Sequence, residues 1–322
     1  MTLSKILAKS KEFLQLKKDI DESRLSHAYI ITAPDELLGR EFFLLAARHI
    51  MYKYGFISAE LVDYKIDLGV HPDVKLIGGQ EKILVNITED IIADIYNKGM
   101  EADYKLYLLD AYIHPIDAVV QNKLLKVYEE PPRGVSLFIL TPSESSLLAT
   151  INSRATKIVI PPLANEHIVE YLQSQAASPE IAHSCARLSG GSPEVALNFA
   201  QDKQRYLHIV SECVRILREC THTSKVIEFL DSAAFSKDNF PTSLYFFEII
   251  FQDLAHKLTD SAYPARTTEF GLDEIAGFQL GSLADAVRAA HNARQALAGN
   301  IQADSVAETM LFNILEAKYK WQ

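Results

Sequence analysis

"YKLYLLDAYIHPIDAVVQNKLLKVYEEPPRGVSLFILT", residues 104–141, contains two kinds of periodicity. Apolar runs at 104–109 and 136–141 have the length and composition of buried strands. Between them, apolar residues recur at helical spacing over 114–130, where Pro115 suits the first turn and "EEPP" suits the end. A strand, a helix and a second strand in this order predict a unit that joins parallel strands of one sheet.

Similar apolar runs occur elsewhere in the first half of the chain. Further candidate strands lie at 27–32, 74–77 and 157–160, and further candidate helices lie at 36–54 and 88–99. Short apolar strands that alternate with helices are typical of a parallel sheet covered on both faces. The sequence therefore predicts an α/β domain with a five-stranded parallel sheet.

The second half of the chain has a different pattern. Residues 163–322 show only helical periodicity. Within it, "GGSPEVAL" at 190–197 predicts a helix end followed by a new helix with Ser192 as its N-cap. "SVAE" at 305–308 predicts a capping box for a last helix, and Gly299-Asn300 would close the helix before it.

Composition sets limits on function. The 322 residues include 32 Lys and Arg against 42 Asp and Glu, so the formal net charge of -10 disfavours tight, unaided binding of nucleic acid. Three cysteines are too few for a disulfide framework, and no Cys/His cluster has zinc spacing. No apolar run approaches the length of a membrane span, and the first residues lack a signal-peptide pattern. A soluble, cytoplasmic protein without bound metal is expected.

One long motif carries a family resemblance. "NKLLKVYEEPPRGVSLFILTPSESSLLATINSRA", residues 122–155, resembles the clamp-loader branch of the AAA+ proteins, whose pattern is "NALLKxLEEPP", an apolar strand and "LLxTIxSRC". "HAYII" at 27–31, "HPDV" at 71–74 and "ARQALAGNIQADSVAETMLFNIL" at 293–315 also fit the family pattern. The resemblance implies an AAA+ core, a small helical lid and an all-α collar that joins subunits. The implied boundaries are 1–162, 163–204 and 205–322.

The phosphate loop of that family, "GPxGxGKT", is degenerate here. Aligned from "HAYII", the chain has Ala33 for the first glycine and Pro34 in its place, and Leu38 and Gly39 fall where glycine and lysine are expected. A register shifted by one residue gives Gly39-Arg40-Glu41, which still lacks the lysine. Both registers stay open, and neither supplies the group that reaches the terminal phosphates.

Other positions of the family's ATP site are also changed. Asp110 matches the strand-terminal aspartate that holds Mg²⁺, although such a residue often only caps a turn, and Ala111 replaces the glutamate that activates water. Glu194 stands where the lid arginine of "GSxRxAL" is expected. Asp35 and Glu36 add negative charge beside a triphosphate, and like charges at ~4 Å repel by roughly 1 to 4 kcal/mol. We therefore expect no ATP hydrolysis and no bound cofactor.

Arg154 matches the arginine of "SRC", which in the family points at a neighbouring subunit's γ-phosphate. The resemblance implies a catalytic arginine finger that acts in trans, and the alternative is a structural salt bridge. Ala155 replaces the cysteine of that motif. Many bacterial relatives insert a four-cysteine zinc module after the first helix of the core, but residues 52–74 contain no cysteine and no zinc is expected.

The resemblance implies a non-hydrolysing clamp-loader subunit within a DNA polymerase holoenzyme. Its partners would be gamma- or tau-type and delta-type subunits, with the sliding clamp and primed DNA reached through the complex and no membrane involved. Two alternatives remain open. One is an active ATPase of the gamma or tau type with an unusual phosphate loop, and the other is a scaffold that kept the fold and lost the replication role.

Overall fold

The computed structural model describes residues 2–260, 265–298 and 301–320. The chain forms two compact units, Met1–Asn198 and Phe199–Gln322. The first unit contains, in chain order, α1 (Leu3–Leu7), α2 (Lys11–Asp21), β1 (Ala28–Thr32), α3 (Glu36–Tyr54), α4 (Ala59–Asp67), β2 (Val74–Gly78), α5 (Val85–Ile95), β3 (Lys105–Asp110), α6 (Ala118–Glu129), β4 (Val135–Thr141), α7 (Ala149–Asn152), β5 (Thr156–Val159), α8 (Asn165–Ser174), α9 (Pro179–Leu188) and most of α10 (Pro193–Gln201).

The sheet confirms the predicted fold class. Its five strands are parallel and lie in the order β2-β3-β4-β1-β5. Ile30 of β1 pairs with Ile139 of β4 on one side and with Lys157 of β5 on the other. The three central strands are almost wholly buried, whereas β2 and β5 at the edges are partly exposed. This burial explains why the central strands are continuous apolar runs.

Helix boundaries show where periodicity alone was insufficient. The prediction for 36–54 is confirmed at both ends by α3, whereas the helix expected over 88–99 lies earlier, at Val85–Ile95. The start predicted for α6 is wrong, because the helix begins at Ala118 with Asp117 in extended conformation as its N-cap. Ile116 continued the apolar pattern because it packs into the core from the irregular segment before the helix.

Burial of the sheet faces gives the first unit its core. One face contains residues from β1, β3, β4, α5 and α6, including Tyr107, Leu109, Leu124 and Ile139. Three helices, α8 to α10, follow the sheet within the same unit, where the sequence predicts the lid. The division of the chain into core, lid and collar remains a prediction.

The second unit is helical throughout its described residues. Its helices are α11 (Lys203–Glu219), α12 (Thr223–Leu230), α13 (Phe240–Thr259), α14 (Leu280–Ala298) and α15 (Ala303–Lys320), with short 3-10 turns at Ala233–Phe235, Thr268–Phe270 and Leu272–Glu274. The capping box predicted at Ser305 is wrong, because α15 begins at Ala303 and Ser305 lies inside its first turn. Gly299-Asn300, predicted to close α14, lie outside the described residues. None of the described helices is both long and apolar enough to cross a membrane.

Candidate functional site

Two strands and two helices meet at the carboxyl edge of the sheet. Strand β1 leads through a short loop into α3, and β3 ends at Asp110. Because neighbouring parallel strands end at the same edge, their terminal residues lie where α/β sheets bind ligands. We call this place the crevice and define it by Asp35, Glu36, Arg40, Asp110, Ser192 and Glu194.

The amino end of α3 is capped by two carboxylates of the chain itself. The amide of Leu38 donates to Asp35 Oδ1 at 2.7 Å, and the amide of Leu37 donates to Glu194 Oε2 at 3.3 Å. Free amides at a helix amino end form a natural binding place for anions such as phosphate. In this chain, carboxylate oxygens already accept from both amides.

Arg40 supplies the cation of the crevice. Its Nη2 donates to Glu36 Oε1 at 2.8 Å, and its Nε donates to Asp110 Oδ2. Gly79, which follows β2 and has φ +80, leaves room for the guanidinium, because a Cβ there would lie 1.9 Å from Arg40 Nη2. The sequence pointed to Arg40 through its second register, but nothing in the pattern connected Gly79 with it.

Asp110 caps a turn, which is one of the two roles considered for it, and it also binds Arg40. Its Oδ1 accepts from the amide of Tyr112 at 3.1 Å, so it caps a turn, and its Oδ2 binds Arg40. The hydroxyl of Tyr112 donates to the carbonyl of Pro34 at 2.7 Å and lies 3.3 Å from the carbonyl of Ala33. The loop between β1 and α3 is therefore tied to the segment after β3.

Asp35 also ties the crevice to α10. Its Oδ2 accepts from the amide of Glu194 at 3.0 Å and from the hydroxyl of Ser192. Ser192 Oγ in turn accepts from the amide of Val195 at 3.1 Å, which confirms Ser192 as the N-cap of α10. Sequence reasoning could find each cap separately, but it missed the contact between positions that lie 157 residues apart.

The crevice contains more acid than base. Burial raises the pKa of Asp35 although donors from Ser192, Leu38 and Glu194 oppose the shift. Burial, followed by repulsion from Asp110, raises the pKa of Glu36. Burial and then repulsion from Asp35 raise the pKa of Glu194. Four carboxylates, Asp35, Glu36, Asp110 and Glu194, therefore surround a single guanidinium, that of Arg40, among the residues that define the crevice.

Leu38 and Gly39, which the first register placed at the phosphate contacts, face the protein interior. Leu38 is fully buried, and a Cβ at Gly39 would lie 2.3 Å from Leu140 Cδ1 on β4. Gly39 therefore permits close packing of α3 on the sheet. Glu41, which follows Arg40 in the second register, accepts a hydrogen bond from Ser4 Oγ at 2.9 Å. Of the residues from Leu38 to Glu41, Arg40 is the one that belongs to the crevice.

Arg154 lies outside the crevice, in the turn between α7 and β5. Its side chain is 39% exposed. Nη1 donates to the carbonyl of Thr150 at 3.1 Å, and Nη2 donates to Glu129 Oε1 at 3.2 Å. The salt bridge considered as the alternative for Arg154 is thus present, but it leaves the guanidinium open to solvent on one side.

Gln121 holds the segment that precedes Arg154, and the sequence analysis missed it. This side chain is buried on α6 and donates through Nε2 to the carbonyls of Ile116, at 2.8 Å, and Ser146, at 3.0 Å. Its Oε1 accepts from the amide of Leu148 at 2.7 Å. A polar residue beside the apolar stripe of α6 was the available signal.

Metal ligation has no candidate in the described residues, where His, Cys, Asp and Glu side chains form no group of three or more able to hold an ion. Cys185, Cys213 and Cys220 are buried, and none of them forms a disulfide.

Comparison with known proteins finds similarity to subunits of DNA polymerase III. Residues 8–164 match the sequence model of a family described as "DNA polymerase III, delta subunit". DNA polymerase III subunit delta' of Bacillus subtilis (strain 168) is 28% identical over 185 residues, which cover 56% of this chain and 55% of that protein. DNA polymerase III subunit gamma of Buchnera aphidicola subsp. Acyrthosiphon pisum (strain APS) is 25% identical over 154 residues, or 47% and 42% of the two chains.

The chain spans about half the length of these curated relatives, 55% and 42%. Among solved structures, a gamma subunit-related protein of DNA polymerase III from Thermotoga maritima is similar over 96% of this chain and 100% of that chain, with 16% identity and a TM-score of 0.46. A likeness this distant carries no functional argument.

The five parallel strands and the helices around them confirm the α/β fold class, and the motif at residues 122–155 resembles that of the clamp-loader branch of the AAA+ proteins. The family-model match over residues 8–164 and the similarity to the Bacillus subtilis delta' subunit support a delta-prime-type clamp-loader subunit of DNA polymerase III.

Proposed function

We propose that this chain is a non-hydrolysing clamp-loader subunit that supplies Arg154 in trans to the ATP site of a neighbouring subunit. The neighbour would be a gamma- or tau-type ATPase, and a delta-type subunit would complete the assembly. The sliding clamp and primed DNA would be reached through the complex. The observation that carries the proposal is the contrast between a crevice filled by its own side chains and an arginine that stays exposed.

The contacts in the crevice support the absence of hydrolysis. The amides of Leu37 and Leu38 already donate to carboxylates, so phosphate oxygens would have to displace Glu194 and Asp35. Asp110, which would hold Mg²⁺, is bound to Arg40. ATP does not fit this arrangement unless several buried polar contacts break, and each broken contact costs about 1 to 3 kcal/mol.

The geometry of Arg154 supports action on another subunit. A guanidinium has five N–H donors, and the contacts with Thr150 and Glu129 leave donors for an anion on the exposed side. An arginine finger stabilises charge on the transferred phosphoryl group and accelerates hydrolysis by about 10³ to 10⁵. Its ion pair with Glu129 is solvated and therefore weak, so the pair does not prevent this use.

The test is a complex reconstituted with gamma- or tau-type and delta-type subunits. Arg154→Ala should leave assembly intact and lower clamp- and DNA-stimulated ATP hydrolysis, because one neighbouring site loses its finger. Other sites keep theirs, so total turnover should fall by less than the ~10³ of a single site. Arg154→Lys should restore little, since a point charge does not reproduce a planar fork of donors.

Arg133→Ala is the matched control. Arg133 is an exposed arginine in the turn after α6, and its side chain makes no ion pair with any residue that the structure describes. Its removal should leave hydrolysis unchanged. A complex with Arg154→Ala that assembles and hydrolyses ATP at the parent rate would contradict the proposal and leave Arg154 as a structural residue.

The match to a gamma subunit favours a second candidate, an active gamma- or tau-like ATPase. The two candidates differ in the isolated chain. The first predicts no Mg²⁺-dependent ATP binding, and the second predicts binding followed by hydrolysis.

A further inference from the structure

The guanidinium of Arg154 is bound on one side by the carboxylate of Glu129. The proposed arginine finger does not by itself explain this contact. We propose that Glu129 is a positioning residue: it fixes the guanidinium of Arg154 so that its open side meets an anionic phosphate of the neighbouring subunit. This inference rests on the proposed function, and its test separates the two.

The position of Glu129 is well defined. It is the last residue of α6, and the residue before it, Tyr128, is 3% exposed. Pro131-Pro132 follow after one residue, Glu130, so the helix cannot continue and the end of α6 is fixed. The carboxylate therefore projects from a rigid element towards the turn that carries Arg154.

Arg154 needs such support because its own segment is short. It follows the four-residue helix α7, and the side chain has many rotamers when unrestrained. The contact with the carbonyl of Thr150 holds Nη1, and the contact with Glu129 Oε1 holds Nη2. Two anchors on one edge of a planar group set the direction of the donors that remain.

The expected size of the effect follows from exposure. The side chains of Arg154 and Glu129 are 39% and 54% exposed, so water screens their attraction. Loss of the carboxylate should therefore lower the neighbouring site's kcat by about two- to fivefold, well below the effect of removing Arg154. The KM for ATP should stay unchanged, because orientation of a finger matters mainly in the transition state.

The experiment compares Glu129→Ala and Glu129→Gln with Glu130→Ala in the reconstituted complex. Glu130 is the adjacent exposed glutamate, and its side chain makes no hydrogen bond or ion pair within the described residues. Glu129→Ala should lower kcat, Glu129→Gln should lower it less because the amide still accepts a hydrogen bond, and Glu130→Ala should leave it at the parent value. In an Arg154→Ala background, Glu129→Ala should have no further effect.

A second measurement uses the isolated full chain. ¹⁵N relaxation of the Arg154 Nε–Hε group should show a lower order parameter in Glu129→Ala and a parent value in Glu130→Ala. An unchanged order parameter, or an unchanged or raised kcat, would overturn the role of Glu129 while Arg154→Ala still lowers hydrolysis. If Arg154→Ala leaves hydrolysis unchanged, the proposed function itself fails, and the role of Glu129 fails with it.

Discussion

The crevice and the Arg154 turn are opposite in construction, although both place an arginine against carboxylates. In the crevice, Arg40 lies between Glu36 and Asp110, of which Asp110 is 1% exposed. In the turn, Arg154 meets one solvated carboxylate and one carbonyl. The two arginine side chains are similarly exposed, 35% and 39%, so the difference lies in their partners: the carboxylates that bind Arg40 are at most 9% exposed, whereas Glu129 is 54% exposed. A ligand can use Arg40 only if contacts with buried carboxylates break, which costs more than breaking a solvated ion pair. The proposed function rests on this difference.

The largest expected effect is on nucleotide binding by the isolated chain. If the crevice is filled as the contacts indicate, ATP should show no Mg²⁺-dependent binding up to about 1 mM, which corresponds to a binding free energy weaker than about -4 kcal/mol. Titration calorimetry of the isolated chain with ATP, with and without Mg²⁺, measures the dissociation constant. A dissociation constant in the low micromolar range that depends on Mg²⁺ would remove the contrast between the two regions.

Opening the crevice should test whether Asp35 joins α3 to α10. Asp35→Ala removes the cap of α3 and the acceptor for Ser192 and Glu194, so the local free energy of unfolding at the start of α10 should fall by about 2 kcal/mol. Hydrogen exchange of the amides at 193–198 measures this loss, because exchange reports the free energy of local opening and does not depend on global unfolding.

Asp202→Ala provides the matched control for that variant. Asp202 caps α11 through the amide of Arg205 at 3.3 Å, and it is exposed. Its removal should cost about 0.5 to 1 kcal/mol at α11 and leave the exchange of 193–198 unchanged. If Asp35→Ala lowered the local free energy of unfolding at 193–198 no more than Asp202→Ala does, Asp35 would be an ordinary helix cap and the crevice would not be tied to α10.

The sequence predicted the sheet better than it predicted the crevice, for a physical reason. Strands and helices follow from periodicity along the chain, so the five strands were found within one or two residues of their bounds. The contacts of Asp35 with Ser192 and of Arg40 with Asp110 join residues far apart in sequence. No local pattern encodes such pairs. The motif resemblance pointed to these residues, but only the three-dimensional structure showed which of them are in contact.

Gly39 gives a smaller effect and distinguishes two uses of a glycine. A phosphate-loop glycine serves a ligand, whereas this one lets α3 approach Leu140 on β4. In Gly39→Ala, overpacking of about 1 to 3 kcal/mol should exceed the gain of roughly 1 kcal/mol in helix propensity. Denaturant titration should therefore show a net loss of about 1 kcal/mol. A stabilised variant would mean that Leu140 moves freely and that packing does not explain Gly39.

The smallest expected effect is a pH dependence of stability that arises in the crevice. Burial raises the pKa of Glu194 above its unfolded value of about 4.3, so the folded state holds its proton more tightly. The free energy of unfolding contributed by this group falls as pH rises from the unfolded to the folded pKa, and it stays reduced above that window. Glu194→Gln removes this penalty and keeps an acceptor for Leu37, so it should be more stable than the parent at pH 7, by less than about 1 kcal/mol after screening. The advantage should shrink on acidification towards the unfolded pKa. Glu194→Ala lacks the acceptor and should be less stable than Glu194→Gln at every pH. A Gln variant less stable than the parent at pH 7 would show that the carboxylate's charge helps to hold the crevice closed.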